Sequence, residues 1–236
     1  MFQTVEVAGR RVMYLNSAKN DVWIRECVFP GKRGGYYVEA GAANGLVGSS
    51  CYLLERHFGW TGLCVEPNDA LFAQLVKCRP HSIHENVCLT GVPREVRFIT
   101  GTGPVHPFLS GDRDNLLKYK CQGQSVVEGG HEATKSGVPL AELLRKHNAP
   151  SMMEYAALDL EGSELEVLET FPFGTYTFGA ITLECDSAIW DPVTRVLSAA
   201  SYREVRNPFN TECAWERYWL HASIPRQLGA GQRCPG

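Results

Sequence analysis

Residues 36–67 constrain the fold more than any other stretch of this chain. A short apolar run, YYVEA (36–40), ends in a glycine-bounded turn, Gly41 to Gly45, and Val47, Cys51, Leu54 and Phe58 then recur at helical spacing. A second run, GLCVEP (62–67), follows at once. Strand, glycine turn, helix and strand in this order predict two parallel strands joined by a right-handed crossover. Gly41 and Gly45 fall in the first turn, where backbone can approach a ligand with no Cβ in the way.

The alternation continues. Leu71, Phe72, Leu75 and Val76 share one helical face, and HSIHENVCLT (81–90) and EVRFIT (95–100) read as a third parallel strand and a neighbouring extended segment. Residues 101–137, rich in Gly, Ser, Asp and Lys, read as a long irregular insertion, either a lid over a substrate or an idle loop. Pro139 opens a helix through Leu140, Leu143 and Leu144, and YAALDLEG (155–162) gives a fourth strand ending at Asp159 and Glu161. Ser163 and Glu166 have the spacing of a capping box, GAITLEC (179–185) is a fifth strand, and Asp191-Pro192 has the form of a helix cap. REVRNPF (203–209) and CAWERYWLH (213–221) predict a closing hairpin. The expected architecture is α/β, a mostly parallel seven-stranded sheet with helices on both faces and a C-terminal antiparallel hairpin. One domain is expected over 1–236, with a core of about 21–222 and a frayed tail at 224–236.

Composition narrows the function. A net charge of −3 and a pI near 6.2 argue against the electropositive surface that non-specific nucleic-acid binding requires. No stretch approaches the roughly 20 apolar residues of a membrane span. The N-terminal MFQTVEVAGRRVMYLNS lacks the features of a secretory signal, so a cytoplasmic location is expected. Nine cysteines, with no Cys-x-x-Cys pair, read as free thiols.

Glu66 ends the second strand 21 residues beyond Gly45, close to the offset at which Rossmann proteins place a ribose-binding carboxylate, and Pro67 fixes the turn after it. The glycine turn lacks the dinucleotide fingerprint, and Glu39 brings to it a negative charge that repels a diphosphate. Such a turn suits a cofactor with a cationic amino-acid end, which points to S-adenosylmethionine. Asp159, Glu161 and Glu184 are expected at one rim, with Asp159 the catalytic candidate as a general base for an acceptor hydroxyl. The alternative is that Asp159 holds a cofactor ammonium or a loop amide while Glu161 caps the next helix. A divalent metal is not favoured, because hard cations need more oxygen ligands than these residues offer. His84, His106 and His131 are bases by chemistry, without a partner located in sequence.

The strings LER (54–56), GWTGL (59–63) and EPN (66–68), with ENVCLT (85–90), YAALDLEGSELEVLETF (155–171) and ITLEC (181–185), resemble the FkbM-type methyltransferase family over residues 21–186. The resemblance implies a Rossmann-like methyltransferase fold and methyl transfer to a hydroxyl of a small molecule or sugar-derived metabolite, leaving S-adenosylhomocysteine. It implies that Glu39, Gly41, Asn44 and Gly45 contact the methionine part, Glu66 the ribose, and Asn86 and Val87 the adenine. Many members carry Asp-Gly where this chain has Asn44-Gly45. The expected partner is a small-molecule hydroxyl acceptor, with no nucleic acid and no membrane span. Two other readings stay open: a non-catalytic interaction or trafficking module, and an RNA methyltransferase. Against the latter, Arg113, Lys118, Lys120 and Lys135 are balanced by Asp112, Asp114, Glu128 and Glu132.

Overall fold

The computed structural model describes residues 3–7, 10–14, 16–101, 109–120 and 122–225. An antiparallel pair, β1 (Gln3–Val7) and β2 (Arg10–Tyr14), precedes α1 (Asn20–Trp23) and a π-helical turn, Ile24–Val28. The alternation predicted from sequence follows as β3 (Tyr36–Ala40), α2 (Tyr52–Phe58), β4 (Thr61–Val65), α3 (Asp69–Cys78) and β5 (Ile83–Glu85). Next come β6 (Cys88–Leu89), β7 (Arg94–Thr100), β8 (Ser110–Asp112), α4 (Arg113–Tyr119), α5 (Gly123–Gly129) and β9 (His131–Val138). The chain then forms α6 (Leu140–Lys146), β10 (Met152–Leu158), α7 (Glu164–Thr170), β11 (Thr177–Glu184), α8 (Trp190–Ala199), β12 (Tyr202–Val205) and β13 (Glu216–His221).

Seven strands form the main sheet in the order β12-β13-β11-β10-β3-β4-β5. The pairs from β11 to β5 are parallel, while β13 is antiparallel to both β11 and β12. This is the Rossmann-like α/β sheet expected from the sequence. Alternation along the strands sends Val38, Ala40, Leu63, Val65, Ala156, Leu158, Ile181 and Leu183 to one face, against α6, α7 and α8. Tyr37, Cys64, Tyr155, Ala157 and Ala180 face the other side, against α1, α2 and α3. Strand order reverses between β3 and β10, and a reversal of this kind opens a crevice at the carboxyl ends of the strands. Gly41 stands at that point with φ +81°, where a Cβ would fall 2.0 Å from the Asp159 carbonyl oxygen.

Several local expectations are corrected. Residues 101–137 are not irregular: their described part carries β8, α4, α5 and β9, while 102–108 and 121, with His106, lie outside the described residues. EVRFIT is β7, which leaves the main sheet for a four-stranded sheet of order β6-β9-β7-β8. The helix expected from Val47 begins only at Tyr52, because the backbone has positive φ at Ala43, Gly45 and Gly48. Ser163 and Glu166 form no capping box. The Ser163 hydroxyl instead accepts from Asn115 Nδ2 (2.8 Å), and Glu166 pairs with Arg94 (3.0 Å). Asp191 lies inside α8 rather than capping it, and Asp186 caps the preceding 3-10 turn through Ala188 N (2.9 Å). Of the tail, Ile224 and Pro225 hold Arg203 through their carbonyls, and 226–236 lie outside the described residues. Among the described residues no helix is long and apolar enough to cross a membrane.

Candidate active site

A cavity of about 660 Å³ opens at the strand-order reversal, within the size range of small-molecule sites. Its floor is Gly41, Ala43 and Asp159, one wall is Val65, Glu66, Pro67, Val87, Cys88 and Leu89, and the second sheet adds Phe98, Ser110, Gly111 and Asp112. Glu161, Glu184 and Lys120 stand at the opposite end. A smaller chamber of about 170 Å³, lined by Asn16, Asn20, Glu39, Ser50, Thr182 and Glu216 among others, shares Gly41, Asp159, Glu184 and Trp215 with the larger one.

Glu66 is 5% exposed. Its Oε2 accepts from Ala43 N (2.8 Å) and its Oε1 from Asn68 N (2.7 Å), which ties the glycine turn to the start of α3. Each oxygen keeps a second lone pair, so the carboxylate can still accept ligand hydroxyls. Burial pushes the Glu66 carboxyl up to about 7, although the two backbone amides favour its ionised form. Apolar Val87, Leu89 and Phe98 on the same side make a wall suited to a planar ring.

Among the residues expected at a cofactor, Gly41, Glu66, Pro67 and Val87 line the larger cavity, and Glu39, Asn44, Gly45 and Asn86 do not. Glu39 faces the smaller chamber with both carboxylate oxygens engaged by protein donors. Its Oε2 pairs with Arg79 (2.7 Å), and its Oε1 accepts from Ser49 Oγ (2.8 Å), Ser50 N (2.7 Å) and Cys51 N (3.2 Å). Asn44 turns its side-chain oxygen to the amides of Leu46 and Val47, which shapes the loop. Gly45 is a packing position, since a Cβ there would meet Leu75 at 2.7 Å and Arg79 at 2.8 Å. Asn86 donates to the carbonyls of Glu66 (2.9 Å) and Pro67 (3.2 Å), bracing the chain where it passes from β5 to β6.

The acidic end also departs from expectation. β10 stops at Leu158, so Asp159 and Glu161 do not alternate on a strand. They sit in a turn with positive φ at Glu161 and Gly162. That turn is braced by Glu164, whose carboxylate accepts from Leu160 N (2.7 Å) and Gly162 N (3.0 Å), so Glu164 serves these loop amides, a part the sequence offers to Asp159. Asp159, Glu161 and Glu184 still converge, with one oxygen from each lying within 4.8 Å of the others. Lys120, at the end of α4, places its ammonium 2.8 Å from Glu161 and 2.9 Å from Glu184. Burial opposes its charge, but Glu161 and Glu184 outweigh burial and hold the lysine protonated. Asp159 is open to the cavity yet enclosed by protein. Burial first, then the charges of Glu184 and Glu161, push its carboxyl well above the usual range. Of the histidines, His84 bonds the Arg79 carbonyl (2.9 Å) and His131 is exposed on β9.

Lys120 and Trp215 were missed by the sequence reading. Lys120 sits in a stretch without periodic hydrophobicity, whereas Trp215 was written into a hairpin strand that begins one residue later. Its signal is the two-residue period Trp215, Arg217, Trp219: Trp219 is 1% exposed in the core, and Trp215 is 52% exposed beyond the sheet's end.

No protein family and no curated protein matches this chain by sequence. Solved structures do. The FkbM methyltransferase of Methylobacillus flagellatus superimposes with a TM-score of 0.51 at 11% identity, over 82% of this chain and 45% of that one. The chain therefore spans under half the length of that protein. Fibrillarin from Aeropyrum pernix, solved with natively bound S-adenosyl-L-methionine, gives a TM-score of 0.49 at 11% identity, over 93% and 82% of the two chains. The fold is that of the Rossmann-like methyltransferases.

Proposed function

We propose that this protein is an S-adenosylmethionine-dependent methyltransferase of the FkbM type, acting on a hydroxyl of a small molecule. The observation that carries the reading is Glu66: a buried carboxylate at the end of β4, with free lone pairs facing a cavity whose other end is acidic. The residues fit this cofactor. Glu66 would take the ribose hydroxyls, Val87 and Leu89 the adenine, and Gly41 and the smaller chamber the cationic amino-acid end. The cofactor would supply an electrophilic methyl group on a sulfonium.

The chain's own part is to align an acceptor, exclude water and receive a proton. Asp159 is the proton acceptor: burial, Glu184 and Glu161 raise the affinity of its carboxyl for a proton while the Lys120 ammonium opposes that rise, and a hydroxyl bonded to its carboxylate form loses its proton as oxygen gains the methyl. Lys120 bridges Glu161 and Glu184 beside it and offsets one of their two charges, so the rim stays acidic. The described part of residues 109–137 closes one side of the cavity through Leu109, Ser110, Gly111, Asp112, Lys120 and Gln122, which supports a substrate-facing wall rather than an idle loop. An acidic rim disfavours polyanions, so a small acceptor suits the site better than RNA. The reading places the protein in the cytoplasm, where its seven described free cysteines stay reduced.

Calorimetric titration of S-adenosylmethionine and S-adenosylhomocysteine tests this directly. Micromolar binding by the wild type is expected, weakened about 10- to 100-fold in Glu66→Gln, since a hydrogen bond to a charged group contributes about 1.5–3 kcal/mol. No saturable binding by folded wild type would leave the interaction module as the better account.

A further inference from the structure

We propose that Trp215 is the shelf on which the methyl acceptor is recognised, and that the acceptor carries a hydroxylated ring. The inference rests on the methyl-transfer reading and extends it to the acceptor. Glu66 ends β4, whereas Trp215 stands beyond the end of β11 and its carbonyl accepts from Cys185 N (3.0 Å). Three strand spacings separate β4 from β11, about 14 Å, and Asp159 at the end of β10 lies between them. A ligand on Trp215 therefore reaches Asp159 from the side opposite Glu66.

The indole is open where a structural tryptophan would not be. Trp23 and Trp60 are fully buried, Trp219 is 1% exposed, and Trp215, at 52%, borders both chambers. Among the described residues its ring has no hydrogen-bond, aromatic or cationic partner. Its backbone, by contrast, is fixed. Asn207 Nδ2 donates to the Ala18 carbonyl (2.9 Å), Asn210 Nδ2 to the Cys213 carbonyl (2.8 Å), and Ser17 Oγ contacts Cys213 Sγ (3.2 Å). An open aromatic face carried on a braced loop gains by covering itself with the flat face of another ring. The polar groups beside it, Glu184 and Asp186, only accept when ionised, so they call for hydroxyl donors and repel phosphates and carboxylates.

The test uses Trp215 as its own reporter, with Trp215→Phe giving the baseline from half-buried Trp190. Acrylamide quenching of tryptophan fluorescence is followed in protein loaded with S-adenosylhomocysteine, against methyl glycosides, catechols and the ring-free polyol sorbitol. At least one ring class is expected to shield Trp215 while sorbitol does not, and the class that shields tells sugar from phenol. The calorimetric Kd of the shielding compound, measured with the protein saturated by S-adenosylhomocysteine, should rise about tenfold in Trp215→Ala and clearly less in Trp215→Phe. Shielding by sorbitol as strong as by any ring, no shielding at all, or equal affinity in Trp215→Ala overturns the shelf. Failure of folded wild type to bind S-adenosylhomocysteine is a separate result, which removes the methyl-transfer reading beneath it.

Discussion

Arg79 shows what a single side chain can hold in place. It is 0% exposed and its guanidinium reaches Glu39 (2.7 Å), Glu55 (2.8 Å), Ser49 Oγ (3.0 Å) and Tyr37 Oη (2.5 Å). The glycine loop, α2 and β3 are thereby tied to the end of α3. Replacing Arg79 by Ala strands two buried carboxylates, and urea unfolding should show a loss of about 3–5 kcal/mol. The same network explains how much of the site could be read from residues alone. Several positions in the strings that resemble the FkbM-type pattern are architectural here. Glu55 partners Arg79, Trp60 is buried against Gly35, Gly62 lets Tyr37 approach, and Asn68 caps α3. Glu66 is legible because a strand end and a glycine turn fix its position in the chain. Lys120 and Trp215 are not, because their roles come from meeting residues 41 and 31 positions away, Glu161 and Glu184.

At the scale of elements, residues 36–67 could be read because hydrophobic period and turn glycines agree. Residues 109–137 could not, because β8 has three residues and β9 is polar, with His131–Thr134 exposed along one edge. The turn between β3 and α2 has its own prediction. Gly41→Ala would drive a methyl into the Asp159 carbonyl at 2.0 Å, spreading β3 from β10, so a marked fall in Tm and loss of cofactor binding are expected. Gly59, at φ +68° with nothing within 4 Å of where a methyl would stand and lining neither chamber, is the control. Gly59→Ala should cost only about 1 kcal/mol of backbone strain and leave binding intact, as thermal melts with and without S-adenosylhomocysteine will show.

Across the whole molecule, buried acids set the response to pH. Burial raises Asp21, Glu66 and Glu164 to about 7 and Glu216 to about 8. Each carboxyl binds its proton more tightly folded than unfolded, so its contribution is complete below its ordinary value and is lost as pH rises toward 7 or 8. Glu55 and Glu85 act oppositely. Burial is outweighed by Ser82, Tyr37 and Arg79 at Glu55 and by Lys146 and His147 at Glu85, so their contribution is lost as pH falls below the ordinary carboxylate range. Thermal melts of the unliganded protein should therefore peak near pH 5 and decline toward pH 8, and Glu66→Gln should flatten the decline.

The position of β13 has a consequence in time. It lies between β11 and β12, so among the described strands of the sheet the last to leave the ribosome is an interior one. Until Glu216–His221 has been synthesised, β11, buried along nearly its whole length in the finished fold, presents an apolar edge with no neighbour. The wall bearing Glu66 is synthesised well before the strand that follows Trp215. Nascent chains halted before Glu216 should consequently depend on chaperones, and chains released after His221 should not.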